Sequence, residues 1–569
     1  MVHLAPLHRV SQCSHDRLLA DDLGERAGAM PAVQRPLLLL WLVLNRQRWA
    51  ESTHARGAGW TDWMACPSGW RRLPERIASR LVTAWIKRHP APLGAALAIA
   101  AGALVLRVVS GVGFANYDTL YALAWGGQLS RGELPAYSVP IAPTPHPLIE
   151  ALGLVLAPLG PHAVEDVTVA LGFLALAACG WVVYALGSRW FGRAAGALAA
   201  LVLLTRVPVL SDGVRAYVDL PYMLLLLSAL LVESRRPRAG WPVLALLALA
   251  GLLRPEAWAF SAVYWAYLLT SPARTAEADG APPTARARGE ILRLTLLAAA
   301  APIVWILSDL LITGDPLWSL TNTRDTASTL HRIRGITNVP EYVPRRIGEI
   351  LRPPVLAGAA LGGVLSLLWL RRRAVPGALA GVLAVAVFVA FAALGLPINT
   401  RYAFLTAAIL SIFFGAGVFG WSRLEHGDRR RRWWIAGGAL VLVAFLAYLP
   451  SQYRSARHEL NNLARQQRIE GDLLALVDDH SISLGCGPVG VSNHAPVPLL
   501  ALHLKTSPRN VVSPESGSIT TGVYVDPASR QVERDYVLDK RDPHAPAMVP
   551  PGFLAVKTNR SWLVFRRCR

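Results

Sequence analysis

From Ala91 to about residue 450 the chain is a succession of Leu-, Ala- and Val-rich runs, each closed by a short polar or basic turn. Eleven runs stand out, near 92–112, 165–187, 194–210, 216–232, 240–253, 257–270, 291–313, 354–370, 376–395, 402–422 and 433–450. A bilayer span takes about 20 residues, and several of these runs are shorter. In hydrocarbon every backbone amide must bond within its own segment, so the runs predict transmembrane helices. A further apolar stretch, His146–Leu159, has 14 residues and predicts an interfacial or re-entrant helix instead.

After Ser451 the pattern changes. Leu460, Leu463, Ile469, Leu473, Leu474, Leu476 and Val477 recur with helical period over 455–479. Strand-like runs follow at Gly522–Val525, Asp535–Leu538 and Phe553–Lys557. Ser561–Arg566 follows the last of these across a turn at Thr558–Arg560, the pattern of a hairpin. The expected architecture is an all-α polytopic membrane protein of about eleven helices over 91–450, with a small extracytoplasmic α/β domain at 451–569.

Charge placement sets the expected orientation. The basic loops Arg189–Arg193, Arg235–Arg238, Arg274–Arg293, Arg371–Arg373 and Arg429–Arg432 all fall on one side if there are eleven spans, together with the Arg-rich N-terminal flank. By the positive-inside rule that side is the cytoplasm. The loops 114–164 and 314–353 and the C-terminal domain then lie outside. Residues 1–90 are Arg-rich and irregular, and predict a poorly ordered cytoplasmic segment. Its apolar run Pro36–Leu44 is too short to span, and Met30 and Met64 are in-frame alternative starts, so the true start can lie downstream of residue 1.

Composition agrees with a membrane protein. The 569 residues are 53% hydrophobic and 17% charged, against about 25% charged in soluble chains. The formal net charge of +20 lies in short clusters between apolar runs. No basic face with interleaved aromatics appears, which argues against a nucleic-acid partner. Arg outnumbers Lys and Ala and Gly are abundant, as in GC-rich bacterial genomes, so the expected location is a bacterial inner membrane. Of the five cysteines, Cys179 lies in an apolar run, and Cys486 and Cys568 share the outer domain and can pair in an oxidising compartment.

Ionisable residues crowd the predicted outer helix ends. A charge at mid-bilayer costs about 2.5–3.5 kcal/mol on the insertion scale. Asp118 follows the first span within Asn116-Tyr117-Asp118. Arg206, Asp212, Arg215 and Asp219 surround one short turn; Arg254 and Glu256 flank Pro255; Asp309 is near a span end; Arg401 and Tyr402 open a late span. Terminal arginines can simply snorkel to headgroups. Several on one face, however, suit bidentate binding of a lipid phosphate. Asp118 reads as a general base, and Asp219 as a second acidic group or as a structural partner of Arg215 one helical turn away. Two carboxylates can also hold a divalent cation such as Mg or Mn, although no Asp-x-Asp pair or metal-ligand cysteine spacing supports a metal site. His146 sits in the stiff segment Pro143-Thr144-Pro145-His146-Pro147, where shaping the loop is its first expected role. Tyr117, Tyr217, Tyr222 and Trp258 read as interface aromatics, some able to stack on a sugar.

The order of these motifs resembles the GT-C membrane glycosyltransferases. The nearest branch is that of the dolichyl-phosphate-mannose–protein mannosyltransferases and the lipid A aminoarabinose transferases. The matching elements are Asn116-Tyr117-Asp118, Leu129-Ser130-Arg131-Gly132-Glu133-Leu134-Pro135-Ala136-Tyr137, Pro145-His146-Pro147-Leu148, Gly187-Ser188-Arg189-Trp190-Phe191-Gly192-Arg193, Arg215-Ala216-Tyr217-Val218-Asp219-Leu220-Pro221 and Arg401-Tyr402. The resemblance implies transfer of a sugar from a polyprenyl-phosphate-linked donor to an acceptor hydroxyl on a glycan, lipid or protein, on the outer face and with inversion. It implies Asp118 and Asp219 as catalytic carboxylates. Arg215, Arg254, Glu256, Arg401, Tyr402, His146 and Tyr117 are then the substrate- and phosphate-binding candidates. Asp118 is followed by Thr119 where the protein mannosyltransferases carry Asp-Glu, and Pro145-His146-Pro147 replaces their Lys-Pro-Pro, which leaves the acceptor open. The rival readings are a lipid flippase or small-solute transporter and a non-catalytic membrane anchor. Charges at helix ends rather than the midplane, and the lack of an evident repeat, set this chain apart from transporters.

Overall fold

Each apolar run becomes a helix. The structure, a computed structural model, describes residues 90–270, 288–537 and 548–568. The Arg-rich stretch up to residue 89, with the expectations made for it, lies outside the described residues. In chain order the first helices are α1 (Pro90–Ser110), α2 (Tyr117–Ser130), α3 (Pro147–Leu156), α4 (Pro161–Phe191), α5 (Arg193–Leu204) and α6 (Val207–Val214). Then come α7 (Asp219–Arg235), α8 (Trp241–Gly251), α9 (Glu256–Leu269), α10 (Arg288–Thr313) and α11 (Trp318–Thr329). The series ends with α12 (Val339–Trp369), α13 (Arg371–Ala393), α14 (Phe404–Phe419), α15 (Arg429–Asp478) and α16 (Val497–His503).

Among the described residues seven helices are long and apolar enough to cross a membrane, and the α5–α6 pair, bent by 66°, makes an eighth if it is one span. The remaining predicted spans fall on α7, α8 and α9, with 17, 11 and 14 residues. At about 1.5 Å per residue, α8 rises only about 16 Å. The turn that follows it ends inside the protein: Leu253 and Arg254 are both buried. A short helix thus carries a guanidinium into the interior.

The bundle is built around α14. Its apolar window is 89% buried, against 17% for α10 and for α15, so the latter two present Leu292, Leu311, Leu440 and Val443 outward. Close helix contact explains part of this. A Cβ on Gly362 of α12 would run into the backbone of Phe413 and Gly417 in α14. Likewise a Cβ on Gly126 of α2 would strike the carbonyl of Glu150 and the amide of Leu154 in α3. Glycine at these positions lets the helix axes approach.

The loop 114–164 is more ordered than its sequence suggests. Asn116 caps α2, its Oδ1 accepting the amides of Asp118 and Thr119 at 2.8 and 3.2 Å. The predicted short helix at His146–Leu159 is α3 followed by a 3-10 turn. The second loop, 314–353, contains α11 and the first part of α12, which breaks at Arg352 before Pro353-Pro354.

The last membrane helix does not stop at the expected boundary at residue 451. α15 runs for 50 residues through Pro450, so the predicted span and the predicted 455–479 helix are one rod. Beyond it lies a five-stranded sheet in the order β2-β1-β3-β5-β4. Its strands are β1 (Val489–Val491), β2 (Val511–Val512), β3 (Gly522–Pro527), β4 (Leu554–Thr558) and β5 (Trp562–Arg567). β1 pairs parallel with β2 and β3, β5 pairs antiparallel with β3 and β4, and β4–β5 is the expected hairpin. The strand expected at Asp535–Leu538 is not one: Glu533–Val537 forms a π-helical turn, and Leu538 lies outside the described residues. Cys486 and Cys568 form a disulfide. Leu120, Tyr121 and Trp125 of α2 share one hydrophobic core with Leu499, Val523 and Trp562. The C-terminal domain is therefore docked on the helix whose first turn carries Asp118.

Candidate active site

Four separate segments meet beside the start of α2. The Asn116 cap fixes Asp118 in the first turn, and the same loop is tied to the α6–α7 turn. Asn116 donates its amide to Arg215 O at 2.9 Å, and Thr119 Oγ1 donates to Ala216 O at 2.9 Å. Asp219, the first residue of α7, is buried. Arg254 reaches it from the turn after α8, and Arg401 comes from the 3-10 turn Thr400–Ala403 that leads into α14.

The charged groups alternate in sign. Arg401 Nη1 donates to Asp118 Oδ2 at 2.7 Å, and its Nε lies 3.9 Å from Asp219 Oδ2. Arg254 donates to Asp219 Oδ1 and, through Nε, to Glu256 Oε2 at 3.2 Å. Asp118, Arg401, Asp219, Arg254 and Glu256 thus form one continuous chain of ion pairs. The guanidiniums lie over aromatic faces: Arg254 is 4.1 Å from the Tyr402 ring centroid, and Arg401 is 5.3 Å from that of Tyr217. Arg215 stacks on the same Tyr217 ring at 4.8 Å and pairs with Asp212 at 2.8 Å. Arg215 is therefore a neighbour of the chain rather than a link in it.

A small cleft opens beside the Arg401–Asp219–Arg254–Glu256 part of this chain. Asp219, Tyr222, Arg254, Glu256, Arg401 and Tyr402 line its polar wall, and Phe260, Val387, Phe388, Phe391 and Leu405 its apolar wall. Two atoms facing each other here, Asp219 Oδ2 and Arg401 Nε, are buried without a hydrogen-bond partner. Buried polar atoms are nearly always satisfied, so the pair marks a place where a ligand oxygen can accept from Arg401 Nε and a ligand hydroxyl can donate to Asp219 Oδ2. An amphipathic cleft of this kind suits a molecule with an anionic head and an apolar tail.

Asp118 is ionised. Burial opposes its charge, but Arg401, with His146 and Arg332 behind it, prevails and holds its pKa below the usual carboxylate range. His146 is pushed the other way: burial disfavours its cation and lowers its pKa. Its Nδ1 lies 2.7 Å from Leu253 O, next to Arg254. Since a carbonyl only accepts, Nδ1 carries the proton. Tyr117 donates to Ile141 O at 3.1 Å. The structure thus brings Asp118, Asp219, Arg254, Glu256, Arg401 and Tyr402 together and sets Tyr117, His146 and Arg215 around them. Two other candidates lie elsewhere. Arg206 bonds Val202 O and Leu351 O at 3.0 and 3.3 Å, and Asp309 accepts from Ser319, so both staple helices.

Sequence reading missed Glu150. It is buried, accepts from Tyr137 Oη at 2.6 Å and from the His146 amide at 3.1 Å, and burial raises its pKa to about 7. An isolated Glu in an apolar run was its only signal. Among the described residues no group of three or more His, Cys, Asp or Glu side chains is placed to hold a metal ion. Asp118 and Asp219 each face a guanidinium, a donor set already neutralised by organic cations.

No family model matches this chain, and none of the curated proteins matches it either. Solved structures do. The structure of ArnT from Cupriavidus metallidurans bound to undecaprenyl phosphate matches 82% of this chain and 97% of that one, at 15% identity and a TM-score of 0.50. The archaeal oligosaccharyltransferase AglB from Archaeoglobus fulgidus, in complex with an inhibitory peptide and a dolichol-phosphate, matches 79% of this chain and 70% of that one, at 11% identity and a TM-score of 0.44. The likeness to the first, over nearly its full length, is one of fold, and this chain has the GT-C fold of the polytopic membrane glycosyltransferases.

Proposed function

We propose that this chain is a membrane glycosyltransferase that moves a sugar from a polyprenyl-phosphate carrier to an acceptor hydroxyl. The observation that carries the reading is the chain of ion pairs from Asp118 to Glu256, whose Arg401, Asp219, Arg254 and Glu256 line a cleft with one charged and one apolar wall. Arg401 and Arg254 would hold the carrier phosphate, and the Phe260–Phe391 wall would take the first isoprene units. The solved neighbour with undecaprenyl phosphate bound supports this class of donor.

The acceptor oxygen would bond to the anomeric carbon as the bond from that carbon to the phosphate oxygen breaks. The bonding electrons leave with the polyprenyl phosphate, the proton passes to Asp118, and the anomeric carbon inverts. A carboxylate paired with Arg401 is a weak base. When the donor phosphate draws the Arg401 guanidinium toward itself, Asp118 loses its counter-charge and becomes a stronger one. The arginines then stabilise the charge on the departing phosphate. Asp219 keeps both guanidiniums in place.

The Cys486–Cys568 disulfide supports an extracytoplasmic C-terminal domain, since such bonds persist in oxidising compartments. With the basic loops on the opposite side, this fits an inner-membrane enzyme working on its outer face. The test is mass spectrometry of surface glycans and glycoproteins from a strain lacking this chain, complemented with wild type or Asp118→Asn. The expected result is one product lost in the deletion, restored by wild type and not by Asp118→Asn. Full restoration by Asp118→Asn would remove Asp118 from the reaction.

A further inference from the structure

Arg254 and Arg401 differ in how many of their donors are spent. Arg254 bonds a carboxylate through all three nitrogens, Nε and Nη2 to Glu256 and Nη1 to Asp219. Arg401 uses Nη1 alone, on Asp118 at 2.7 Å, and among the described residues its Nε and Nη2 have no hydrogen-bond partner. A guanidinium presents Nε and Nη2 as one planar fork, so this edge of Arg401 is open. The carboxylate beside it is only half used. Asp219 Oδ1 accepts from Arg254, while Oδ2, on a side chain 2% exposed, is buried and unpartnered, 3.9 Å from Arg401 Nε. Both residues line the cleft.

The chemistry of the two unpartnered atoms narrows what can fill them. Nε–H only donates and a carboxylate only accepts. At 3.9 Å they are too far apart to bond each other. Hydrogen bonds of about 2.7–2.9 Å let one oxygen between them complete both. That oxygen must accept on one side and donate on the other. An ionised phosphodiester oxygen accepts from Nε but has no proton for Oδ2. An ammonium donates to Oδ2 but has no lone pair for Nε, and an acetamido nitrogen fails in the same way. A hydroxyl does both. The phosphate is then left the other tooth of the fork, Nη2. The ligand that fills the fork carries a hydroxyl and a phosphate oxygen side by side. A sugar 1-phosphate has that arrangement when the carbon next to its anomeric carbon keeps a free hydroxyl.

We propose that Asp219 Oδ2 and Arg401 Nε form a hydroxyl subsite, which selects donors whose sugar has a free hydroxyl on the carbon next to the anomeric carbon over 2-deoxy and 2-acetamido sugars. The inference rests on the glycosyl-transfer reading and deepens it by naming the class of donor sugar. Asp219 then has two tasks: Oδ1 holds Arg254, and Oδ2 fixes the orientation of the sugar ring while Nη2 of Arg401 takes the phosphate.

The experiment titrates the full chain, purified in detergent, with undecaprenyl phosphate and four sugar-bearing forms of it. Two are the glucosyl and mannosyl forms, which present that hydroxyl in its two orientations. The others are the 2-deoxy analogue that both share and the N-acetylglucosaminyl form. A hydrogen bond to a charged group is worth about 10-fold or more, so the better of the two hydroxy donors should bind at least about 10-fold tighter than the 2-deoxy and 2-acetamido forms. In Asp219→Asn, which turns an amide donor toward Arg401, and in Arg401→Lys, which keeps the charge but loses the fork, that ratio should fall to about threefold or less. A structural role would weaken all ligands alike and leave the ratio unchanged. Equal binding of hydroxy and 2-deoxy donors by wild type would mean that a water fills the pair, and would overturn the inference even if neither variant folds. So would a 2-acetamido donor bound as tightly as the hydroxy donors, or a ratio that persists in both variants. Failure of the wild type to bind undecaprenyl phosphate and all four sugar-bearing forms would instead overturn the glycosyl-transfer reading itself.

Discussion

Arg254 offers a quantitative test of the ion-pair chain. Its side chain is 8% exposed, Asp219 is 2% exposed and Glu256 11%. Replacing it with Met keeps much of the aliphatic stem but removes the guanidinium over Tyr402 and strands two buried carboxylates. Breaking a buried pair by removing one partner costs about 3–5 kcal/mol, because a buried charge is left uncompensated. Here Arg401 lies 3.9 Å from Asp219 Oδ2 and can relieve part of that, so the lower end, about 3 kcal/mol, is expected. Asp219→Asn should cost less, because Arg254 keeps Glu256. In the double variant Asp219→Asn/Arg254→Met the penalties should fall short of their sum by about 1–3 kcal/mol. The surface pair Arg345–Glu341, 4.0 Å apart and 58% and 68% exposed, serves as a control, and Arg345→Ala should cost under about 1 kcal/mol. The assay is reversible unfolding in mixed micelles at pH 7. If Arg254→Met is no more destabilising than Arg345→Ala, the alternating chain does not organise the cleft, and the case for a phosphate site there falls with it.

Other perturbations probe other links. Asn116→Ala removes the cap of α2 and should cost about 1 kcal/mol while lowering product formation through a displaced Asp118; unchanged transfer would separate the cap from the site. Glu150 is raised from 4.5 to about 7, so the folded state binds the extra proton. Stability should therefore fall as pH rises from about 4.5 to 7 and level off above, by at most about 3 kcal/mol. Glu150→Gln should flatten that slope, and an identical melting profile would show that Glu150 titrates normally. Cys486 and Cys568 are 82 residues apart in sequence, and loop-closure entropy predicts a loss of about 4 kcal/mol on reduction in the chain-entropy model. The loss should appear as early melting of the C-terminal domain alone, and coincident melting with α4 or α14 would contradict that.

Much of the membrane part is legible in the sequence because a bilayer leaves little choice: long apolar runs must be helices. Every predicted span lies on a helix or on the α5–α6 pair. Depth is less legible. Nothing in Trp241–Gly251 says that its turn ends inside the protein, because packing against neighbours, not composition, sets how deep Arg254 lies. The site was legible as residue types at helix ends, and Asp118, Asp219, Arg254 and Arg401 do converge. Their pairing was not: one of the two readings of Asp219 paired it with Arg215, one helical turn away, yet Arg215 takes Asp212 instead. Ala216 has a positive φ of 50°, so the chain turns between the two residues and no continuous helix carries the four-residue spacing. In the C-terminal domain β1 and β2 have three and two residues, too few for an alternation to register. The 535–538 run failed because four residues, three of them hydrophobic, fit a helical turn as well as a strand.

α15 joins these observations. One helix of 50 residues begins beside α12 and α14 and ends in the core that α2 shares with the sheet. Near its middle Gln452 accepts from Arg206 at 3.4 Å, and further along Ser211 of α6 donates to Glu459 at 2.8 Å. Ser211 also accepts from Arg215, which stacks on Tyr217, the ring beneath Arg401. The rod that carries the C-terminal domain therefore reaches the ion-pair chain through Arg215 and Tyr217, and the helix of Asp118 through the α2 core. A flexible linker at residue 451 would leave the sheet free to move relative to the helix of Asp118. A continuous helix does not, and the proposed transfer from a membrane-held donor would gain much of its rate from that kind of fixed spacing.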